Sequence, residues 1–218
     1  MEYFFATDAE VTHSAPPNIS AICDLDGIVE DRDPATSEVR YTTFYVFTDD
    51  DQVFFGQIYK PKAEIPATEL TAALQRVPDA TVFPVLPHDA DITVAPDGSH
   101  EHYIKRPNMA VYELYNEDDF LARVLLTEAS LMERLARYPH PNIVRYHGVR
   151  VRRGRVTGLI LDKHQSTLLD YIKCGLDLDQ ETFLTTLGAA VAHLHWLGLA
   201  HNDINPENIM VTFEKLPF

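Results

Sequence analysis

The stretch His201-Asn202-Asp203-Ile204-Asn205-Pro206-Glu207-Asn208-Ile209-Met210 gathers an imidazole, two carboxylates and three amides within a few residues. A carboxylate in such a setting can take a proton. An asparagine oxygen can hold a hard cation, and either side chain can instead close a turn on its own backbone. The stretch follows an apolar run with helical spacing and leads into Ile209-Met210-Val211. A second set of chemically able residues lies in Cys23-Asp24-Leu25-Asp26-Gly27, where two carboxylates alternate along the chain. Residue types alone leave both stretches open between catalysis and ordinary polar turns.

The first stretch resembles the catalytic loop of the eukaryotic protein kinases, whose H-R-D-x-x-x-x-N pattern it matches at His201, Asp203 and Asn208. The resemblance implies that Asp203 accepts the proton of the hydroxyl being phosphorylated, and that Asn208 holds a magnesium ion bridging the nucleotide's phosphates. Two positions depart from it. Asn202 stands for the arginine that pairs with a phosphorylated activation loop. Asn205 stands for the lysine that stabilises charge on the moving phosphoryl group, where an amide donates a hydrogen bond without a full charge. The second stretch resembles the D-x-D-G start of the haloacid dehalogenase phosphatases, with Asp24 and Asp26 as nucleophile and acid/base. Ile28 replaces the usual threonine there, and strand-rich sequence follows where that family needs a helix, so we set this reading aside.

The elements that must position a kinase loop are legible upstream. Ile92-Thr93-Val94, a turn at Pro96-Asp97-Gly98 and the run from His100 to Lys105 predict a hairpin. It resembles the second and third strands of a kinase small lobe, which makes Lys105 the lysine that grips the α- and β-phosphates. A helix follows around Glu128-Ala129-Ser130-Leu131-Met132-Glu133-Arg134-Leu135. The resemblance makes Glu128 the partner of Lys105 and leaves Glu133 as an exposed helix acid. His140-Pro141-Asn142-Ile143-Val144 is similar to the H-P-N-I-V that opens strand four in many kinases. Tyr146 to Leu161 reads as two strands around the basic turn Arg150–Arg155. Gly158 to His164 resembles strand five entering the hinge, so Asp162 and His164 are the candidates for the adenine side of an ATP site.

Thr167 to Ile172 reads as a short helix beyond the hinge, and Thr182 to Leu199 as a long one with Phe183, Leu184, Leu187, Val191 and Leu194 at helical spacing. His193 and His195 point to different faces of that helix and make no metal pair. The N-terminal region has its own pattern. Arg40–Phe47 and Val53–Tyr59 flank the acidic turn Asp49–Gln52 and predict a hairpin. Pro66 to Val77 has helical spacing and stops at Pro78.

The fold class expected is α+β: a protein-kinase-like small lobe of antiparallel sheet plus helix, with the first helices of the large lobe, preceded by a β-rich N-terminal region. The boundaries expected are an acidic accessory region over 1–80 and a partial kinase-like domain over 82–218, with the small lobe over about 82–161 and the large lobe from about 165. The resemblance implies ATP and Mg2+ as cofactors and transfer to protein Ser/Thr. Against activity stand three features. No G-x-G-x-x-G precedes the expected second strand, whose place is taken by Leu86-Pro87-His88-Asp89-Ala90-Asp91. Tyr103 occupies the position of a small alanine. The metal-binding aspartate of D-F-G would come roughly eighteen residues after Asp203, past Phe218. We therefore expect the chain to be truncated before D-F-G, to bind magnesium-ATP weakly or not at all, and to be inactive as it stands. The alternative is a pseudokinase-like protein-binding module.

Composition bounds the partners. The net charge of −15 is concentrated in residues 1–100, with 18 acids against 5 bases, while residues 101–218 are near balance with 15 against 13. Such a surface repels phosphate backbones, which argues against nucleic acid and for a protein substrate or partner. No apolar run is long enough to span a bilayer, and two cysteines make neither a disulfide framework nor a zinc set. An intracellular, cytoplasmic home follows as the expectation.

Overall fold

The computed structural model describes residues 15–96, 101–115 and 118–211. The chain divides into two units, one of residues 1–83 and 108–122, the other of residues 84–107 and 123–218.

In the first unit a four-stranded sheet runs in the order β1 (Gly27–Arg32), β2 (Val39–Phe47), β3 (Val53–Ile58), β4 (Gln75–Arg76), each neighbour antiparallel. The β2–β3 hairpin forms around the acidic turn, with Phe47 opposite Val53 and Thr42 opposite Ile58. Helix α1 (Ala67–Ala73) covers one face, and Phe44, Val46, Phe54, Ile65, Leu70 and Leu74 form the core beneath it. Alternation along β2, with Val46 opposite Phe54 on β3, puts Phe44, Val46 and Phe54 on one face, which is what a half-buried strand requires. The helix is shorter than its sequence pattern, which runs to Val77. Gln75 and Arg76 pair with Phe55 and Phe54, and the Val77 N–H reaches the Val53 carbonyl at 2.8 Å, so the sheet takes these residues from the helix. Two short helices, α2 (Asp79–Val82) and α3 (Tyr112–Tyr115), complete this unit, and the sequence pattern marked neither.

In the second unit a three-stranded antiparallel sheet has the order β5 (His102–Lys105), β7 (Arg155–Asp162), β6 (Tyr146–Arg152). Six successive residues of β7, Val156–Leu161, are buried, as befits the central strand. The β6–β7 turn is two residues, Arg153 and Gly154, both with positive φ (49° and 72°), the backbone that matches strand twist. Helix α4 (Phe120–Ala136), whose residues 120–122 belong to the first unit, buries Leu121, Leu125, Ala129 and Met132, spaced by three and four. After β7 come β8 (Ser166–Thr167), α5 (Leu168–Lys173), α6 (Gln180–Trp196) and β9 (Met210–Val211), with β8 and β9 paired. Asp179 caps α6 by accepting from the Thr182 N–H at 3.2 Å, and Gly198 (φ 71°) closes its C-terminus, so the helix ends at Trp196 rather than Leu199.

The expected Ile92–Val94 to His100–Lys105 hairpin does not form among the described residues; its turn at Asp97-Gly98 and His100 lie outside them. Val94 instead makes a parallel bridge to Val149 on β6, the opposite edge of the sheet from β5. Ala95 N–H donates to the Val149 carbonyl at 2.9 Å, and Val149 N–H donates to the Thr93 carbonyl at 2.8 Å. Gly148 makes this approach feasible. Its φ is 127°, and a Cβ there would sit 2.7 Å from both Ala95 N and Thr93 O. Helix α4 adds a second hold, because Glu133 accepts from the Thr93 N–H at 2.6 Å and from its hydroxyl at 3.1 Å. Glu133 is therefore not a plain exposed acid. Asp91 pairs with Arg137 at the end of the same helix. Residues 91–95 thus lie along β6 and α4, on the opposite edge of the sheet from the strand that carries Lys105.

Candidate active site

Lys105 is the last residue of β5, and Glu128 lies in the middle of α4. The Lys105 ammonium donates to Glu128 Oε1, joining strand to helix. The two side chains are 46% and 29% exposed, so the pair lines an open surface rather than a sealed core. Strand alternation puts Tyr103 on the same face as Lys105, and Tyr103 is 51% exposed.

The loop after α6 is organised by short-range hydrogen bonds. Asn205 Oδ1 accepts from the Glu207 N–H at 2.9 Å and the Asn208 N–H at 3.2 Å, an Asx turn. Asn205 Nδ2 donates to Asp203 Oδ1 at 2.8 Å. Asn208 Nδ2 donates to the Asp203 carbonyl at 3.1 Å and to Asp203 Oδ2 at 2.7 Å. The Asp203 N–H meets His201 Nδ1 at 3.3 Å. Asn202 has φ 59°, a left-handed conformation that asparagine tolerates better than most residues. The result is an Asp203 carboxylate held by two amides. The loop is tied back to the residues after the hinge, since Leu168 N–H donates to Ile209 O at 2.7 Å and Leu169 N–H to Pro206 O at 3.0 Å.

Asp162 and His164 lie at the end of β7 and just beyond it. Asp162 closes β7, its N–H donates to the Arg145 carbonyl at 3.0 Å, and its Oδ1 lies 2.6 Å from His147 Nε2. His164 follows in irregular backbone and is half-buried. The sequence pattern gave no sign of His147 as a partner of Asp162, because the two meet only through strand pairing. Asp24 and Asp26 make no catalytic pair. Asp24 Oδ2 accepts from the Ser20 and Ala21 N–H groups, and Asp26 Oδ2 from the Phe47 N–H, so both serve local backbone.

A lysine-glutamate pair on strand and helix, a loop with Asp203 five residues before Asn208, and the sheet order around them agree with one family profile. The profile described as "Protein kinase domain" matches residues 105–216, just over half of the chain. The chain belongs to the protein kinase family. Its α+β architecture is that of a kinase small lobe followed by the first helices of the large lobe. Among proteins it is similar to, the serine/threonine-protein kinase SSK22 of Saccharomyces cerevisiae is 35% identical over 81 residues, covering 35% of this chain and 6% of that protein. The MAP kinase kinase kinase win1 of Schizosaccharomyces pombe is 30% identical over 76 residues, 34% of this chain and 5% of that protein. The serine/threonine-protein kinase/endoribonuclease IRE1 of Hypocrea jecorina is 33% identical over 87 residues, 35% of this chain and 7% of that protein. The chain therefore aligns with only a small fraction of each relative's length.

The kinase family implies a magnesium-nucleotide, and the residues fit it in part. Lys105 offers an anchored cation for phosphate oxygens. Asn208 Oδ1 offers one neutral oxygen for a hard cation, and Asp203 a carboxylate already bonded to two amides. The face beside Lys105 carries the bulk of Tyr103. Among the described residues no helix is long and apolar enough to cross a membrane.

Proposed function

We propose that this chain is the nucleotide-gripping and catalytic-loop portion of a protein kinase that transfers phosphate to protein Ser or Thr. Lys105, positioned by Glu128, would hold the α- and β-phosphates. Asn208 would hold magnesium through Oδ1, which supplies charge neutralisation on the phosphates when bound. Asp203 would accept the proton of the incoming hydroxyl, its carboxylate oriented by Asn205 and Asn208. His164, with the irregular segment around it, would face the adenine, while Asp162 only shapes the strand that leads there. The observation that carries this reading is the Lys105–Glu128 ion pair, since a lysine anchored on a strand by a helix carboxylate is the arrangement phosphoryl transfer uses. We further propose that the complete protein acts in the cytoplasm on protein substrates, and that residues 1–80 serve as an acidic accessory region.

The chain as it stands should bind magnesium-ATP weakly and turn nothing over. Tyr103 stands on the Lys105 face, and residues 84–96 contain no glycine to let backbone amides approach phosphate closely. The same observations favour a second reading, a pseudokinase-like module that binds a protein without catalysis. A thermal-shift titration with magnesium-ATP separates the two. A ligand at a hundred times its dissociation constant stabilises by about 2.7 kcal/mol. Stabilisation of that size at millimolar magnesium-ATP, abolished in Lys105→Ala, would establish a competent nucleotide site and reject the binding-module reading. A small shift abolished by the same substitution fits the weak site proposed. A shift unchanged in Lys105→Ala would remove Lys105 from the site.

A further inference from the structure

Three side chains outside the kinase chemistry converge at one end of the three-stranded sheet. His102 opens β5, and Asp162, directly opposite it, closes β7. His147 stands on β6 where the register shifts: Tyr146 pairs with Leu161 and Gly148 with Ile160, so His147 is the extra residue of a bulge. A bulge re-aims the side chain it carries, and here it brings His147 Nε2 to 2.6 Å from Asp162 Oδ1. The His102 and His147 rings lie 4.3 Å apart with their planes at 68°. One donor atom from each of the three residues lies within 4.8 Å of the other two, and all three residues are half-buried. The His102 Nδ1 is shielded from solvent with no hydrogen-bond partner, a condition that asks for an explanation. Strand alternation places His102 on the opposite face of β5 from Lys105, so this cluster is separate from the phosphate side of the sheet.

We propose that His102, His147 and Asp162 form a binding site for one divalent transition ion of the zinc class, with a fourth position open to water. Two imidazoles and a carboxylate suit zinc, cobalt, nickel or copper, whereas magnesium and calcium prefer an all-oxygen shell. A tetrahedral ion with bonds of about 2.0–2.2 Å holds its donors roughly 3.3 to 3.5 Å apart. The His147–Asp162 contact must therefore open by less than an ångström, and the widest donor spacing, at most 4.8 Å, must close by up to about 1.5 Å. The ion replaces a histidine–aspartate hydrogen bond with bonds to all three strands and engages His102, the member now without a polar partner. It ties the first residue of β5 to the last of β7, at the point where the chain leaves the sheet for the segment containing His164.

The test uses the full chain with Cys23→Ser and Cys174→Ser, because both cysteines are exposed free thiols that would compete for the probe. Zn2+ is titrated against a chromophoric chelator, and Co2+ is followed by its visible absorption. One Zn2+ per chain is expected, with affinity reduced at least tenfold in each of His102→Gln, His147→Gln and Asp162→Asn. In the parent chain, Co2+ should broaden the ring-proton resonances of His102 and His147 and spare those of His140 and His193, a second histidine pair 4.9 Å apart. This readout needs no substitution and stands even if a variant fails to fold. Failure to bind Zn2+, affinity unchanged in both histidine variants, or broadening confined to His140 and His193 would each overturn the site.

Discussion

Replacing Glu128 by glutamine keeps the side chain's shape and removes the charge that anchors Lys105. Two magnitudes separate a strut from a working pair. As a stabilising contact, an ion pair with side chains 46% and 29% exposed is screened by water and worth about 0–1 kcal/mol. For a chain of 218 residues that corresponds to a loss of at most roughly 4 °C in melting temperature. As a positioning contact, its loss frees the ammonium from the place where phosphate oxygens would meet it. A hydrogen bond to a charged group contributes about 1.5–3 kcal/mol, or roughly a ten- to hundredfold change in affinity. Glu128→Gln should therefore leave the melting temperature nearly unchanged while weakening binding of a fluorescent ATP analogue at least tenfold. Circular dichroism melting and a fluorescence titration read the two effects on one sample. A destabilisation above about 3 kcal/mol, beyond the range of exposed pairs, or unchanged nucleotide affinity, would refute this reasoning.

Two further outcomes follow from the structure. Gly148→Ala puts a methyl group at φ 127° and against the backbone of Thr93 and Ala95. It should lower stability in urea unfolding by about 1–3 kcal/mol or more, the range for a strained backbone conformation. A neutral result would mean that residues 93–95 do not lie along β6. The Tyr41 hydroxyl donates to the Glu113 carboxylate, and that bond, with burial, pushes its pKa up from 10.0 to about 12. The folded state then keeps its proton where the unfolded state loses it, so this contribution to stability is intact below pH 10 and disappears as pH rises toward 12. Ultraviolet titration should show the Tyr41 phenol titrating late and returning toward the ordinary range in Glu113→Gln, while Tyr146, whose pKa burial and Glu133 also raise, stays late.

The parts of the site readable from residues alone are those whose contacts are short in sequence or repeated by a periodic element. The loop from His201 to Asn208 is held by bonds spanning two to five residues, so the spacing of its polar residues already contained its geometry. The β2–β3 hairpin and the core face of α4 likewise follow from alternation and from helical spacing. Lys105 and Glu128 were placed through family resemblance to the surrounding motifs, not by any local rule.

Tertiary structure decided what sequence-distant partners compete for. Residues 93–95 have strand character, but nothing local chooses between the edge at β5 and the edge at β6. Gly148, which lets two backbones touch, and Glu133, which accepts from Thr93, select β6. Gln75–Val77 could extend α1, yet the open edge of β3 offers hydrogen bonds to a backbone that the helix would otherwise leave at its end. His102, His147 and Asp162 are 45 and 15 residues apart and meet only because strand order and one bulge bring them to the same end of a sheet. Local chemistry is written into neighbouring residues. Which strand lies beside which is settled by a balance of many weak long-range contacts, and that balance exists only in the folded chain.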